Sequence, residues 1–293
     1  MNNRRSLLSG LLWTAPWWLG FLLFLAFPLA LSLYISFCDY PLLQPPVWIG
    51  AANYRALAHD EVFHDVLWNT LVYASLAIPA GTILAVLLAV LLNQNVRGLA
   101  LFRACIFVPT IVPLVAVGVV WMWILNPEFG LANSTLRMVG IDGPMWLASP
   151  RWAMLSLVLV SVWMCGSPVV IYLAGLQDIP QSLYEAARLD GASAARRFWH
   201  VTLPGLSPVV LFNVIIAIIV AWQVFALPYV MWRGSPGPDH SVYFYTTYLF
   251  DNAFHYLKMG YASAMAWIQL LIILALTSVV FLVSRRTVHY RGA

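Results

Sequence analysis

The chain has 293 residues, of which 62% are hydrophobic and only 9% are charged, and its mean hydropathy is +0.83. A soluble protein carries roughly 25% charged residues, so this composition excludes an ordinary soluble domain. The 15 basic residues outnumber the 11 acidic ones but are scattered along the chain, which argues against a nucleic-acid-binding patch. The three cysteines offer neither a disulfide framework nor a metal-binding spacing.

Six apolar runs long enough to cross a bilayer follow one another along the chain. The first run is too long for the core of a signal peptide and lacks an evident cleavage site, so we expect it to be retained. The sequence therefore predicts an all-α integral membrane protein with six transmembrane helices. The predicted spans cover residues 11–37, 70–92, 101–125, 152–173, 207–232 and 262–283.

The segments between these spans are polar and contain many prolines and glycines. Residues 52–65 predict a short amphipathic surface helix after the first span. In the loop over residues 126–151, Asn133-Ser134-Thr135 matches a glycosylation triplet, but such triplets are frequent by chance. Prolines inside spans are expected to break helices locally. They are Pro79, Pro109, Pro113, Pro168, Pro208 and Pro228.

The basic residues predict how the chain is oriented. Six spans put both termini on one side of the membrane. Ten of the 15 basic residues lie in the two tails, in the turn after the second span and in the loop after the fourth. The opposite loops hold the other five, with eight of the 11 acidic residues. Because loops rich in arginine and lysine stay inside, both termini are expected in the cytoplasm.

The loop after the fourth span, Gln181–Pro204, is charged although it lies between two apolar runs. Ser182 and Glu185 have the spacing of a capping box, which predicts a helix start. Gly191 is placed to end this helix, because glycine adopts the left-handed cap conformation without steric cost. A second short helix is expected from about residue 193 to 200, after which Leu203-Pro204 turns the chain into the fifth span.

Glu185-Ala186-Ala187, then Gly191 after three residues, then Val201-x-Leu203-Pro204 after nine more, resembles the EAA loop of bacterial ABC importer permeases. The flanking Gly175–Pro180 is similar to the carbohydrate (maltose and glycerol-phosphate) branch. In that family the loop is a cytoplasmic element that couples the permease to a cleft of the ATPase subunit. An ordinary charged loop between two membrane helices is the alternative. The resemblance assigns ATPase coupling to Leu183, Tyr184, Glu185, Ala186, Ala187, Asp190, Gly191, Leu203 and Pro204.

The resemblance covers roughly residues 53–283 and implies the organisation of the chain. Residues 1–65 would form the N-terminal tail, the first membrane helix and an extracytoplasmic loop, residues 66–284 the importer permease domain, and residues 285–293 a cytoplasmic tail. The implied partners in the bacterial inner membrane are a second permease subunit, two ATPase subunits and an extracytoplasmic solute-binding protein. The chain has no G-x-x-x-x-G-K-[ST] motif, so ATP and Mg are expected on the partner ATPases, with no cofactor, metal or catalytic residue here.

Polar and aromatic residues within the spans are the candidates for contacting solute. Sugars are bound by aromatic faces together with amide and hydroxyl partners. In the sugar-importer branch the helices before and after the EAA loop line the transport pathway. That resemblance points to Trp163, Ser167, Trp222, Gln223 and Phe225 as the substrate pathway. The alternative roles are hydrogen bonds between helices for the polar residues and positions at the lipid interface for the tryptophans.

The sequence therefore predicts an importer permease subunit that forms half of a pathway for a sugar or related solute. A secondary, ion-coupled transporter and a non-transport membrane scaffold are the alternatives. No span carries a charged residue near its middle, which weakens the ion-coupled alternative. The solute is left open among monosaccharides, oligosaccharides, polyols and glycerol phosphate.

Overall fold

The chain is built almost entirely from helices. A computed structural model describes residues 2–94 and 97–288, so the end of the predicted tail, residues 289–293, lies outside the described residues. The first helices are α1 (Asn2–Phe21), α2 (Phe27–Ser36), α3 (Ala52–Ala58), α4 (Glu61–Leu92), α5 (Leu99–Ile111), α6 (Leu114–Ile124), α7 (Leu131–Met138) and α8 (Pro150–Trp163). The later helices are α9 (Gly166–Gln177), α10 (Gln181–Leu189), α11 (Ala194–Arg197), α12 (Leu203–Trp222), α13 (Ala226–Met231), α14 (Tyr245–Phe250) and α15 (Met259–Thr287).

Shorter elements join these helices. Three π-helical turns cover Leu22–Ala26, Phe198–Thr202 and Asp251–His255, and a 3₁₀ turn covers Pro238–His240. The strands β1 (Cys38–Asp39) and β2 (Val47–Trp48) pair antiparallel, with Cys38 opposite Trp48.

Four helical segments are each long and apolar enough to cross a membrane: Gly10–Ser36, Glu61–Leu92, Ala194–Trp222 and Met259–Arg285. Two helix pairs pass the same test when each pair is taken together. Helices α5 and α6 are bent by 103°, and α8 and α9 by 46°. The described part of the chain thus holds four spans, or six when each bent pair is one span. The prediction of an all-α membrane protein is confirmed.

Prolines account for the two bends, although other span prolines leave their helices unbroken. Val112 is extended, with a ψ of 131°, and Pro113 follows it, so the 103° bend falls where the residue before a proline is driven out of the helical region. The 46° bend falls at Met164–Cys165, and Pro168 stands four residues after Met164, so it offers no N–H to the Met164 carbonyl and its ring crowds that carbonyl. Pro79 and Pro208 lie inside unbroken helices. The expectation that each span proline breaks its helix is therefore wrong.

The fifth predicted span begins and ends earlier than expected. Its helix runs from Ala194 to Trp222 without interruption, through α11, a π turn and α12. In the π turn the Leu203 N–H donates to the carbonyl oxygen of Phe198, one residue further back than in an α-helix. The wider turn accommodates Pro204, which lacks an N–H and whose ring crowds the preceding turn of an α-helix. Leu203-Pro204 therefore continues the helix and does not turn the chain as predicted.

The first compact unit consists of the residues up to Glu61 together with Leu249–Leu271. Within it, the Nδ2 of Asn53 donates to the carbonyl oxygens of Ser36 and Cys38, both at 2.9 Å. These bonds fix α3 to the end of α2 and to β1. The predicted surface helix over residues 52–65 is divided, because α3 ends before α4 begins at Glu61.

The second compact unit, Val62–Tyr248 together with the residues from Ile272 onward, contains two apolar clusters. Leu157, Val160 and Phe244 are fully buried in the larger cluster. The smaller cluster joins α4, α9 and the start of α12. Helix α4, the span after it and the helices on both sides of residues 181–204 are therefore packed together in this unit.

Asn133 organises the loop after α6. It is 2% exposed, and its Nδ2 donates to the carbonyl oxygens of Pro127 and Pro144 at 3.1 and 3.2 Å. Its Oδ1 accepts the Nε1–H of Trp146 at 2.6 Å. The side chain of the apparent glycosylation triplet is thus engaged in three hydrogen bonds within the fold.

Replacing Asn133 with alanine is expected to destabilise this loop. The change removes three hydrogen bonds, each worth about 1 kcal/mol, and leaves the Trp146 N–H without its acceptor. We expect the midpoint of thermal unfolding in detergent to fall by roughly 5 °C. Ser134→Ala, at the next position of α7, is the control and should leave the midpoint near that of the wild type. An unchanged midpoint for Asn133→Ala would show that these bonds do not stabilise the protein.

Candidate functional site

Helix α10 in the EAA loop (Gln181–Pro204) begins earlier than a capping box requires. Its N-cap is Pro180, and no side chain caps the helix. Ser182 lies at the second helical position, so the predicted capping box between Ser182 and Glu185 is wrong. The reason is that Pro180 already leads into the helix with extended backbone, and its carbonyl oxygen accepts the Leu183 N–H at 3.2 Å. The Glu185 side chain is consequently not used in a cap.

Gly191 ends α10 as predicted. Its φ of +73° lies in the left-handed region. The Ala192 N–H donates to the carbonyl oxygen of Ala187 at 2.9 Å, and the Gly191 N–H donates to that of Arg188 at 3.0 Å. These are the two bonds of a Schellman motif, which gives a defined direction to the chain leaving the helix.

Two further contacts hold the EAA loop in shape. The Oγ of Ser193 accepts the Arg196 N–H at 3.3 Å and caps α11. The hydroxyls of Tyr184 and Thr202 lie 3.1 Å apart and are hydrogen-bonded. Helix α10 is thereby fixed to the start of the long helix that contains α12.

The predicted coupling residues lie together in this loop and its exit, and most are accessible. Leu189 and Trp199, which the sequence analysis did not select, are 89% and 62% exposed. With residues 2–94 and 97–288 the Glu185 side chain makes no ion pair or hydrogen bond. The exposed positions are Leu183, Glu185, Ala186, Asp190 and Gly191, and the half-buried positions are Tyr184, Ala187, Leu203 and Pro204.

Two neighbouring cavities, of about 310 and 450 Å³, lie among the helices on either side of the EAA loop and α4. They share Tyr73, Ser161, Met164 and Val220 in their linings. The hydroxyls of Tyr73 and Ser161 are hydrogen-bonded at 2.8 Å. None of the described residues that line the cavities is charged. The linings offer hydroxyl, amide and aromatic groups in an otherwise apolar surface.

The structure places the five predicted pathway residues differently from one another. Gln223 and Phe225 line the larger cavity, at the break between α12 and α13. Trp222 is 3% exposed and packs in the larger apolar cluster, so it does not face either cavity lining. Trp163 and Ser167 are exposed and also line neither cavity. Only two of the five are thus brought together.

Tyr73 of α4 lines both cavities and Thr82 lines the smaller one, and neither is among the predicted pathway residues. The available signal was helical spacing, because Tyr73, Ala77 and Gly81 fall on one face of α4 at intervals of four residues. Small residues at these positions leave room beside the tyrosine. Within the described residues, no group of three or more His, Cys, Asp or Glu side chains could hold a metal ion.

Comparisons with known proteins identify relatives of this chain. Residues 77–289 match the family described as "Binding-protein-dependent transport system inner membrane component". The probable ABC transporter permease protein YesP of Bacillus subtilis is 39% identical over 292 residues, which cover 99% of this chain and 94% of YesP. The sulfoquinovosyl glycerol transport system permease protein SmoG of Agrobacterium fabrum is 34% identical over 260 residues, which cover 88% and 84% of the two chains.

The fold is also found in a solved structure, the bacterial alginate ABC transporter in complex with an alginate pentasaccharide-bound periplasmic protein. The TM-score is 0.82 at 23% sequence identity, over 97% of this chain and 95% of that chain. The matched family model covers most of this chain, and YesP is similar along nearly all of it. The chain therefore belongs to the binding-protein-dependent transport system inner membrane component family, the permease subunits of ABC importers.

Proposed function

We propose that this chain is one permease subunit of an ATP-driven carbohydrate importer and forms half of its transmembrane pathway, with residues 66–284 as the permease domain. Its partners are a second permease subunit, two ATPase subunits that bind ATP and Mg, and an extracytoplasmic solute-binding protein. The observation that carries the proposal is the EAA loop. It is a pair of short helices joined by the turn at Gly191, with exposed apolar side chains and with Glu185, which has no ion pair or hydrogen bond within the described residues.

The proposal places six spans in a bacterial inner membrane, with both termini and the EAA loop in the cytoplasm. The basic residues support this orientation, because ten of the 15 fall in the tails and loops assigned to the inside. In this orientation the EAA loop faces the compartment in which ATP is hydrolysed.

In the proposed contact, Leu183, Ala186 and Ala187 pack in a cleft of the ATPase and Glu185 pairs with a basic side chain of that subunit. Asp190 and Gly191 set the turn between α10 and α11. Tyr184, bonded to Thr202, holds α10 against the helix that continues into α12. ATP binding then shifts a two-state equilibrium of the permease through this contact.

The two cavities form part of the proposed solute pathway. Gln223 and Phe225 supply an amide and an aromatic face, and Tyr73 and Ser161 supply hydroxyls. Trp163 and Ser167 belong to the pathway only if a second permease subunit covers their exposed side chains. We assign Trp222 to helix packing, because it is buried in the apolar cluster.

A carbohydrate is the proposed solute class. The relative SmoG is named for a sulfoquinovosyl glycerol transport system, and the structurally similar transporter is named for alginate. The cavity linings combine hydroxyl, amide and aromatic groups, which are the groups that bind sugars.

Transport by the reconstituted importer tests this proposal. Proteoliposomes are prepared with both permeases, the ATPases and the solute-loaded binding protein. We expect uptake to require ATP and to persist when an uncoupler removes the ion gradient, because the membrane-spanning helices offer no charged residue near their middle to bind a coupling ion. Uptake that continues without ATP and collapses with the uncoupler would overturn the proposal in favour of an ion-coupled transporter.

A further inference from the structure

A polar pocket of about 540 Å³ lies between the EAA loop and the ends of two membrane helices. One wall is formed by α10. The ends of α4 and α9 and the start of the long helix also line it. The lining residues are Val90, Asn93, Gln94, Leu176, Gln181, Tyr184, Arg188, Ala194, Arg197, Phe198 and Thr202.

The pocket is positively charged. Arg188 and Arg197 are its charged lining residues, and none of the described lining residues is acidic. Nη1 of Arg197 donates to the carbonyl oxygen of Ala192 at 3.0 Å, and this bond fixes the guanidinium. The other N–H groups of the guanidinium take no part in this bond. Toward residues 2–94 and 97–288, the Arg188 side chain makes no ion pair or hydrogen bond. Asn93 and Gln94 add amide donors to the lining.

The pocket and the apolar part of the proposed ATPase contact use different faces of α10. Gln181, Tyr184 and Arg188 follow one another at intervals of three and four residues, so they share one face of the helix. Leu183 and Ala186, also three residues apart, are exposed on another. A ligand in the pocket therefore leaves Leu183 and Ala186 free for the ATPase, while Glu185, three residues before Arg188, lies beside the pocket face.

The pocket also lies at the level where two spans end. Val90 and Leu176 belong to the last turns of α4 and α9, and the polar Asn93 and Gln94 follow α4 directly. The lining thus combines apolar residues with arginine and amide groups. Basic pockets between transmembrane helices on the cytoplasmic side bind the head groups of anionic lipids, and arginine suits the geometry of phosphate.

We propose that this pocket binds the phosphate of an anionic phospholipid from the cytoplasmic leaflet. This inference rests on the orientation given in the proposed function. A bound head group contacts Arg188 of α10, Arg197 of the long helix and the amides after α4, so it joins three elements that meet at the EAA loop. The lipid composition of the membrane thereby regulates how firmly α10 is held for the ATPase.

The test uses the assembled importer in nanodiscs of phosphatidylcholine, with or without added phosphatidylglycerol. Native mass spectrometry counts the phosphatidylglycerol that remains bound. Arg188→Gln is compared with Arg196→Gln, which removes the same charge from an exposed arginine of α11 that does not line the pocket. We expect Arg188→Gln to weaken retention about fivefold, the factor that one arginine contributes at an anionic membrane surface, and Arg196→Gln to retain the lipid. Stimulated ATP hydrolysis should rise with phosphatidylglycerol in the wild type and in Arg196→Gln, and less in Arg188→Gln.

Three results would overturn the inference. Equal lipid retention by both variants would show that the pocket does not hold the head group. If inorganic phosphate raised stimulated ATP hydrolysis in pure phosphatidylcholine as much as phosphatidylglycerol does, and no lipid were retained, the pocket would be assigned to a soluble anion. Loss of the ATPase subunits from the Arg188→Gln complex in phosphatidylcholine alone would show that the pocket binds an acidic side chain of the ATPase and not a lipid. In all three cases the proposed importer function still stands if the wild type shows stimulated ATP hydrolysis in any lipid. If the wild type shows no stimulated ATP hydrolysis in any lipid, the proposed function itself is wrong.

Discussion

Replacing Gly191 with valine is expected to abolish uptake and the stimulation of ATP hydrolysis by the loaded binding protein. The φ of +73° at this position costs a residue with a Cβ about 1–2 kcal/mol, and a β-branched side chain more. The variant relieves this strain by giving up the Schellman bonds at the end of α10, which changes the direction of α11. We expect stimulated ATPase rates to fall by about tenfold or more, since about 1.4 kcal/mol corresponds to a factor of ten.

Gly191→Asn is the matched control, because asparagine tolerates the left-handed region. Apart from its chain neighbours, no described residue has an atom within 4 Å of a Cβ built at position 191. We expect the asparagine variant to keep most of the activity, and both variants to insert into the membrane and unfold near the wild-type temperature. Full activity of Gly191→Val would contradict a coupling role for this turn. Equal loss in both variants would show that the partner excludes any side chain there.

Replacing Val220 with tryptophan is expected to block solute movement while leaving the EAA loop intact. Val220 lines both cavities beside Tyr73 and Ser161, so a tryptophan there fills space that the proposed pathway requires. We expect uptake into proteoliposomes to fall to near background. Binding-protein-stimulated ATP hydrolysis should persist, because the EAA loop is unchanged. Uptake and ATP hydrolysis are measured on the same preparation.

Val170→Trp is the control for this second experiment. It makes the same substitution at a position of α9 that is 50% exposed and lines neither cavity. Size-exclusion chromatography of both complexes checks that the partner subunits remain bound. Normal uptake by Val220→Trp would show that the two cavities are not part of the pathway. Loss of uptake in both variants would show that a bulky side chain on these helices blocks uptake even outside the cavities.

The membrane-embedded helices and the turn at Gly191 could be predicted because each depends on a local property of the sequence. A long apolar run is stable inside the lipid bilayer, and a glycine after an amphipathic helix readily adopts the positive φ that ends the helix. The start of α10 was mispredicted although the spacing of Ser182 and Glu185 fits a capping box. Pro180 takes the N-cap position two residues before Ser182, so the helix has already begun at Ser182 and its hydroxyl does not cap it.

The cavities could not be predicted in the same way, because they depend on contacts between residues far apart in sequence. The hydrogen bond between Tyr73 and Ser161 joins residues 88 positions apart. Trp222 has suitable chemistry for a sugar, yet packing directs its ring into the apolar cluster. The π turn before Leu203 likewise results from fitting Pro204 into a helix whose continuation the loop sequence does not reveal.

The unbroken helix from Ala194 to Trp222 has a mechanical consequence. With a rise of about 1.5 Å per residue, its 29 residues extend over roughly 43 Å. A tilt of about 5° at its foot beside the EAA loop displaces the opposite tip, next to Gln223, by roughly 4 Å. A helix of this length turns a slight movement within the EAA loop into a shift comparable to the width of a sugar ring beside Gln223.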